Sequence, residues 1–292
     1  MRMLVTGRDG QLVRALRAKA GGDLELIALG RPQLDLSRPD TLDAVVRDAR
    51  PDVIVNAAAY TMVDKAEEEE ALAATINGEA AGALAQAAAD LGVPILQIST
   101  DYVFDGTKAT PYVESDPVAP VNAYGRSKLA GERAVAAANP RHAILRTSWV
   151  YDAQGKNFLK TMLRLAETRD ELGVVADQIG APSYAPDIAD AVIATARNLV
   201  ADGDARRAGV FHMTGGGQTS WAGFAQEIFR LSAQAGGPSA RVRDIATSDY
   251  PTPAKRPANS RLNCDRLAAT HGARMPDWRD ALARCIRDMK KV

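Results

Sequence analysis

Met3-Leu4-Val5-Thr6-Gly7-Arg8-Asp9-Gly10-Gln11-Leu12-Val13 is the stretch that decides the fold. A short apolar run breaks at Gly7, and Gly10, three residues on, opens a stretch with helical spacing. Strand, glycine turn and helix in that order begin a dinucleotide-binding βαβ unit. The two glycines permit the tight turn and let a pyrophosphate approach the backbone at a helix N-terminus. Val13 stands where the usual fingerprint carries a third glycine, whose part is close helix–strand packing.

The pattern repeats outward from this turn. Further apolar runs fall at 24–29, 53–56, 95–99 and 143–147, several of them continuous, as expected of strands covered on both faces. Between them lie helical patterns at 11–20, 41–49, 71–91 and 121–138, with Pro39 as a start signal and Gly92-Val93-Pro94 as a stop. This alternation predicts an α/β fold: a Rossmann-like, doubly wound parallel sheet with right-handed crossovers. Ligands bind such sheets at the C-terminal ends of the strands. Beyond residue 155 the pattern is less regular, with helices expected at 158–168, 187–200, 220–234 and 277–289 and glycine- and proline-rich loops between them. We read residues 1–155 as the NAD(P)-binding domain and 156–292 as mainly a smaller α/β substrate lobe, with segments interleaved between the two. The acidic run 67–70 reads as a solvated helix start.

Composition narrows the function. The 292 residues carry 36 Lys+Arg against 36 Asp+Glu, and this balance argues against nucleic acid as a partner. Aromatics at 5% argue against a base-stacking platform. The two cysteines, Cys264 and Cys285, have no metal-like spacing and read as small buried hydrophobes in a reducing compartment. The first apolar run is too short for a signal segment and no stretch approaches a membrane span, so the expectation is a cytoplasmic protein without membrane contact.

Chemistry enters at Tyr124-Gly125-Arg126-Ser127-Lys128. Four residues apart on a helix, the phenol and the ammonium share one face. An adjacent ammonium favours the phenolate, so the expectation is a tyrosine pKa lowered from ~10 and a group fit for proton transfer at a carbonyl or alcohol carbon. The second strand ends Ala28-Leu29-Gly30-Arg31, placing an arginine where a carboxylate would select NAD. With Arg8 in the turn, this predicts NADPH, and NADH as the second candidate. Small residues Ala57-Ala58-Ala59 follow the third strand and leave room for a cofactor. Ser99-Thr100 ends the fourth, where a hydroxyl can hold the oxygen on a reacting carbon.

In this order, the glycine turn, Asn56-Ala57-Ala58-Ala59, Ser99-Thr100-Asp101 and the Tyr124/Lys128 pair resemble the extended short-chain dehydrogenase/reductases. Longer segments narrow the resemblance to the dTDP-4-dehydrorhamnose reductase family. These are Gly7-Arg8-Asp9-Gly10-Gln11-Leu12, 56–67, Ser99-Thr100-Asp101-Tyr102-Val103-Phe104-Asp105-Gly106, Arg146-Thr147-Ser148-Trp149-Val150-Tyr151, and Arg256-Pro257 through Ser260-Arg261-Leu262. The resemblance implies hydride transfer from NAD(P)H to C4 of dTDP-4-dehydro-L-rhamnose, with Thr100, Tyr124 and Lys128 catalytic. It implies a cofactor site at Gly7, Asp9, Gly10, Gln11, Leu12, Arg31, Asp35, Leu36, Ala57, Ala58 and Ala59 together with Tyr124 and Lys128. It implies a substrate site at Thr61, Val63, Thr100, Asp101, Tyr102, Trp149, Asn157, Arg256 and Arg261. Gln178 and Lys160 are further lining candidates, and the arginines would meet the nucleotide phosphates.

Two departures from the family pattern are Val13 and the stretch Arg14-Ala15-Leu16-Arg17, which lacks the carboxylates some members use to bridge a dimer through magnesium. No metal is expected, and the chain is expected to be a monomer or homodimer. Sugar-nucleotide epimerases and dehydratases remain an alternative. Dehydratases usually carry Thr-Asp-Glu, whereas here Tyr102 follows Thr100-Asp101. A non-catalytic subunit similar to the regulatory subunit of methionine adenosyltransferase is the alternative outside enzymes.

Overall fold

The structure is a computed structural model that describes residues 1–201 and 204–289. The first half runs β1 (Arg2–Thr6), α1 (Gln11–Ala18), β2 (Glu25–Leu29), α2 (Leu42–Ala49), β3 (Val53–Asn56), α3 (Glu70–Ala74), α4 (Ala80–Asp90), β4 (Ile95–Thr100), α5 (Ala123–Ala138) and β5 (His142–Thr147). The second half runs β6 (Val150–Tyr151), α6 (Phe158–Ala166), β7 (Glu171–Val175), β8 (Ile179–Gly180), β9 (Ser183–Tyr184), α7 (Ala185–Ala201), β10 (Gly209–His212), β11 (Thr219–Ser220), α8 (Trp221–Gln234), β12 (Arg241–Ile245), α9 (Asp265–His271) and α10 (Trp278–Met289).

Six strands form one parallel sheet in the order β10-β5-β4-β3-β1-β2. β3 is buried along its whole length, because helices cover both faces. On one face α1 and α7 pack against β1, β3 and β5 through Leu12, Val13, Leu16, Ile188 and Val192. On the other, α2, α4 and α5 close over Leu4, Ile54 and Ile95 through Leu42, Val46, Leu84 and Val135. A second core, built from Tyr151, Leu159, Leu172, Phe224, Ile228, Trp278 and Leu282, holds α6, α8 and α10 beside the parallel pair β7–β12. The chain beyond residue 155 therefore feeds both bodies, since β10 joins the central sheet and α7 covers it.

The helix expected at 71–91 is interrupted. Residues Thr75–Glu79 form a π-helical turn between α3 and α4. Buried Asn77 sits in it, accepting from the Tyr60 amide at 2.8 Å and donating to Ser127 Oγ at 2.9 Å. A π turn rotates such a side chain into its partners, and these partners flank the site. The acidic run is also more occupied than a solvated helix start. Glu67 accepts the Ala123 amide at 2.8 Å, Glu69 accepts the Tyr60 hydroxyl at 2.6 Å, and Glu70 pairs with Arg126. Among the described residues no helix is long and apolar enough to cross a membrane.

Candidate active site

The sheet order reverses between β1 and β3, because β1 is followed outward by β2 while β3 lies on its other side. Ligands collect at the C-terminal edge of such a switch point. A cavity of about 520 Å³ opens there, lined by the glycine turn Asp9–Val13, Ala57, Thr61, Val63, Thr100, Asp101, Tyr102, Tyr124, Lys128 and Trp149. A second, of about 850 Å³, is lined by Gly7, Arg8, Arg31, Asp35, Leu36, Ala58 and Met62. Both reach Asp9, Ala59 and Thr61, so together they make one long cleft across the sheet edge.

Local sequence explains how this cleft is built. Gly7 has φ +104°, the region glycine adopts without strain. A Cβ there would stand 3.3 Å from Val13 Cγ2, so the valine in place of the third glycine fills the space the missing side chain leaves. Gly10 caps α1 without a side-chain hydrogen bond, leaving the helix's first amides for an anion. A turn with no side-chain room, a free helix N-terminus and two arginines further along the cleft fit a dinucleotide with its pyrophosphate on α1.

α5 begins under tight control. Asn122 Oδ1 accepts the Gly125 amide and its Nδ2 donates to the Lys255 carbonyl, both at 2.8 Å. Any side chain at Gly125 would overlap the Tyr102 carbonyl oxygen, so glycine lets the helix press against the loop leaving β4. That contact brings Tyr124 beside Thr100 and Tyr102, with the two tyrosine rings edge to face at 5.6 Å. One turn on, Lys128 Nζ donates to the Ile98 carbonyl at 2.6 Å. Thr100 Oγ1 accepts the Tyr102 amide at 3.2 Å and donates to Asp101 Oδ1 at 3.0 Å.

Burial governs the titration of this group. It pulls the Lys128 ammonium down to about 8, against the charge of Glu132. It pushes Asp101 up to about 6, against hydrogen bonds from Ser260 and Thr100. For Tyr124 it raises the phenol, aided by the Asp101 carboxylate, and Thr100 only partly offsets this. This differs from the expectation of a lowered phenol. Desolvation of the phenolate outweighs any help from Lys128, so Tyr124 holds its proton.

Other candidates fall into two groups. Trp149 has φ +49°, stacks on Trp221 at 3.6 Å between centroids, and forms one wall of the cavity. Asn157, Gln178, Arg256 and Arg261 are not on the cavity walls. Asn157 caps α6 and donates to Gln11 Oε1 at 3.0 Å and to the Asp152 carbonyl at 2.8 Å, tying the small lobe to the glycine helix. Arg256 is held bidentate by Asp64 at 2.5 and 2.7 Å. Arg261 bonds Asn259 Oδ1 and the Ala109 carbonyl at 2.7 and 2.6 Å, and Gln178 bonds Thr247 Oγ1 at 3.0 Å. Lys160 lies in the first turn of α6. Sequence reading gave no role to Asp64, Gly180, Trp221 or the buried pair Glu132–Arg146. The last had a signal: an arginine inside an otherwise apolar strand requires a partner.

A doubly wound sheet with a dinucleotide cleft and a Thr/Tyr/Lys group at its rim defines an NAD(P)-dependent reductase of the extended short-chain type. Comparison with known proteins narrows this. Residues 1–291 match the family described as RmlD substrate binding domain. A dTDP-4-dehydrorhamnose reductase of Sinorhizobium fredii is 52% identical over 98% of this chain and 97% of its own, and one of Burkholderia thailandensis is 50% identical over 99% of each. The crystal structure of a Clostridium acetobutylicum dTDP-4-dehydrorhamnose reductase superposes with a TM-score of 0.93 at 40% identity, over 99% of this chain and 100% of that one. The chain belongs to the dTDP-4-dehydrorhamnose reductase family.

Proposed function

We infer that the protein reduces the C4 keto group of dTDP-4-dehydro-L-rhamnose with NADPH, giving dTDP-L-rhamnose for nucleotide-sugar biosynthesis. The observation that carries this reading is the convergence of Thr100, Tyr124 and Lys128 on one cavity that also holds the glycine turn and Trp149. A Bacillus anthracis dTDP-4-dehydrorhamnose reductase, 35% identical with a TM-score of 0.90, was crystallised in complex with NADP. In this chain Arg8 and Arg31 face the part of the cleft where an adenosine 2′-phosphate would lie. Asp35, kept below the usual carboxylate range by the Ser37 amide and hydroxyl, lines the same space and leaves NADH as a second cofactor.

The bound cofactor supplies the hydride for C4. Tyr124, protonated at neutral pH, gives its hydroxyl proton to the C4 oxygen. Thr100 orients that oxygen through its hydroxyl. Lys128 as ammonium stabilises the phenolate left behind and holds the nicotinamide ribose with Tyr124. Gly7, Asp9, Gly10, Gln11 and Leu12 hold the pyrophosphate side, and Leu36, Ala57, Ala58 and Ala59 pack along the cofactor. Thr61, Val63, Asp101, Tyr102 and Trp149 enclose the sugar. Arg256, Arg261 and Asn157, anchored beside the cavity, meet the nucleotide portion or fix the lobe that does. Residues 1–155 carry most of the cofactor site and 156–292 most of the small lobe, which closes over the cleft.

On this reading the protein works in the cytoplasm, as a monomer or homodimer. The test is NADPH oxidation, followed by absorbance, with the keto sugar generated in situ. Oxidation that requires every component and yields dTDP-L-rhamnose supports the reading. NADPH binding without turnover refutes it.

A further inference from the structure

Behind Lys128 lies a charged cluster that the reaction as described does not use. Glu132 follows Lys128 by one turn of α5, and its side chain and that of Arg146 are each 4% exposed. Arg146 Nε and Nη2 bond the two carboxylate oxygens at 2.9 and 2.6 Å, and Ser99 Oγ donates to Oε1 at 2.5 Å. Ser99 immediately precedes Thr100 on β4, and Arg146 lies three residues before Trp149. One carboxylate therefore joins α5, β4 and β5, which carry Lys128, Thr100 and the approach to Trp149. A buried ion pair adds little net stability, because desolvation offsets the attraction. The cluster therefore calls for a role beyond stability.

We propose that Glu132, clamped by Arg146 and Ser99, is a positioning residue for Lys128, its buried negative charge keeping that lysine an ammonium at working pH. The proposal rests on the part assigned above to Lys128. Its geometry is supported by electrostatics, since burial lowers the lysine and Glu132 is the charge that counters it. Other titratable and charged groups face Lys128 or its cavity. They are Tyr124 on α5, Asp101 and Tyr102 beyond β4, Asp9 and Arg14 at the start of α1, Lys156 before α6, and Arg146 on β5 behind it. An ammonium works below its pKa and is lost as pH rises through it. Removing the Glu132 charge therefore moves that loss to lower pH.

The experiment is an NMR titration of the full chain with 13Cε-labelled lysine, the Lys128 signal being assigned by its absence in Lys128→Met. In Glu132→Gln the Lys128 midpoint falls by about one pH unit; in Glu132→Gln/Arg146→Met, where both charges go and no buried guanidinium is stranded, it falls by less, because the pair's net charge is unchanged. In Ser99→Ala, which loses a hydrogen bond and no charge, it stays within about 0.3 unit. The alkaline limb of kcat/KM follows the same shifts. An unmoved midpoint in the neutralised variants, or an equal shift in Ser99→Ala, overturns the proposal. Should both neutralised variants fail to fold, Glu132→Asp retracts the charge by one methylene and lowers the midpoint by less; no movement there is equally fatal. A wild type without reductase activity that still shows the NMR shifts refutes the proposed reaction and leaves the lysine–carboxylate coupling standing.

Discussion

Gly180→Ala tests whether the position of Trp149 matters to turnover. A Cβ at residue 180 would stand 2.6 Å from Trp149 Cε2, 2.8 Å from Cζ2 and 3.0 Å from Nε1. Carbon atoms in contact rest at about 3.5–4.0 Å, so the indole must move by about 1 Å. Its freedom to do so is limited by the stack on Trp221, which lies at 13° to it, and by a backbone at φ +49°. Displacement of a positioning group by about 1 Å lowers rates by up to about 100-fold. We expect kcat/KM for the keto sugar to fall 10- to 100-fold, mainly through KM, with NADPH binding unchanged. Loss of the aromatic stack costs about 0.5–1.5 kcal/mol, or about 1–4 °C in the thermal midpoint. Steady-state kinetics, fluorescence titration with NADPH and a thermal melt read the three quantities. Kinetics within twofold of the parent at an unchanged melting temperature would refute the reasoning. A matching loss of NADPH affinity would show that the wall supports the cofactor rather than the sugar.

Tyr124→Phe removes the proposed acid and leaves the ring, so turnover drops by about 10²–10⁴ while NADPH titration is unchanged; turnover within a few-fold rules the phenol out as proton donor. Arg31→Ala raises KM for NADPH well above any change for NADH, and equal changes dissociate this arginine from the 2′-phosphate. Asp101→Asn separates stability from function. Burial raises the carboxyl pKa to about 6, so Asp101's favourable contribution is complete below about 3.8 and is lost as pH rises through about 6. The neutral amide escapes that loss. The variant therefore gains up to about 3 kcal/mol relative to the parent between pH 4 and pH 7.5, measured by denaturant unfolding at both. A stability difference that does not change with pH would mean that Asp101 titrates normally.

The fold was legible where sequence period and burial coincide. The continuous apolar runs at 53–56 and 95–99 are strands because a parallel sheet buries both faces, and the strand over Val53–Asn56 matches its sequence signal residue for residue. Legibility fades beyond residue 155, where β8, β9 and β11 span two residues each and leave no period to read. It also fails at Thr75–Glu79, where alanine-rich composition signals an uninterrupted helix and tertiary bonds from Asn77 impose a π turn. For the site, spacing alone put Tyr124 and Lys128 on one face of α5. The partners that hold that face come from distant segments: the Glu67 carboxylate on the Ala123 amide, the Lys255 carbonyl on Asn122, and the Tyr102 carbonyl against Gly125.

The largest divergence between sequence and structure concerns the electrostatics of that face, and it bears on mechanism. A tyrosine next to a lysine suggests a phenol ready to ionise. Here burial acts on Asp101, Tyr124 and Lys128 together and opposes the charged form of each. For a reductase this is the useful direction before the chemical step, since the acid must arrive protonated. The cost falls on the phenolate that the step leaves behind, in a site where the neighbouring carboxyl also disfavours negative charge. Lys128 is the cation lining the cavity on the same helix face, and burial brings its pKa down to about 8 even with the Glu132 charge opposing the fall. On the proposal above, it would fall further without that buried carboxylate one turn away. If Tyr124 is the acid and Glu132 sustains Lys128 as proposed, the reaction depends on residues that never reach the substrate, and the buried charges of α5 and β5 matter to it as the tyrosine does.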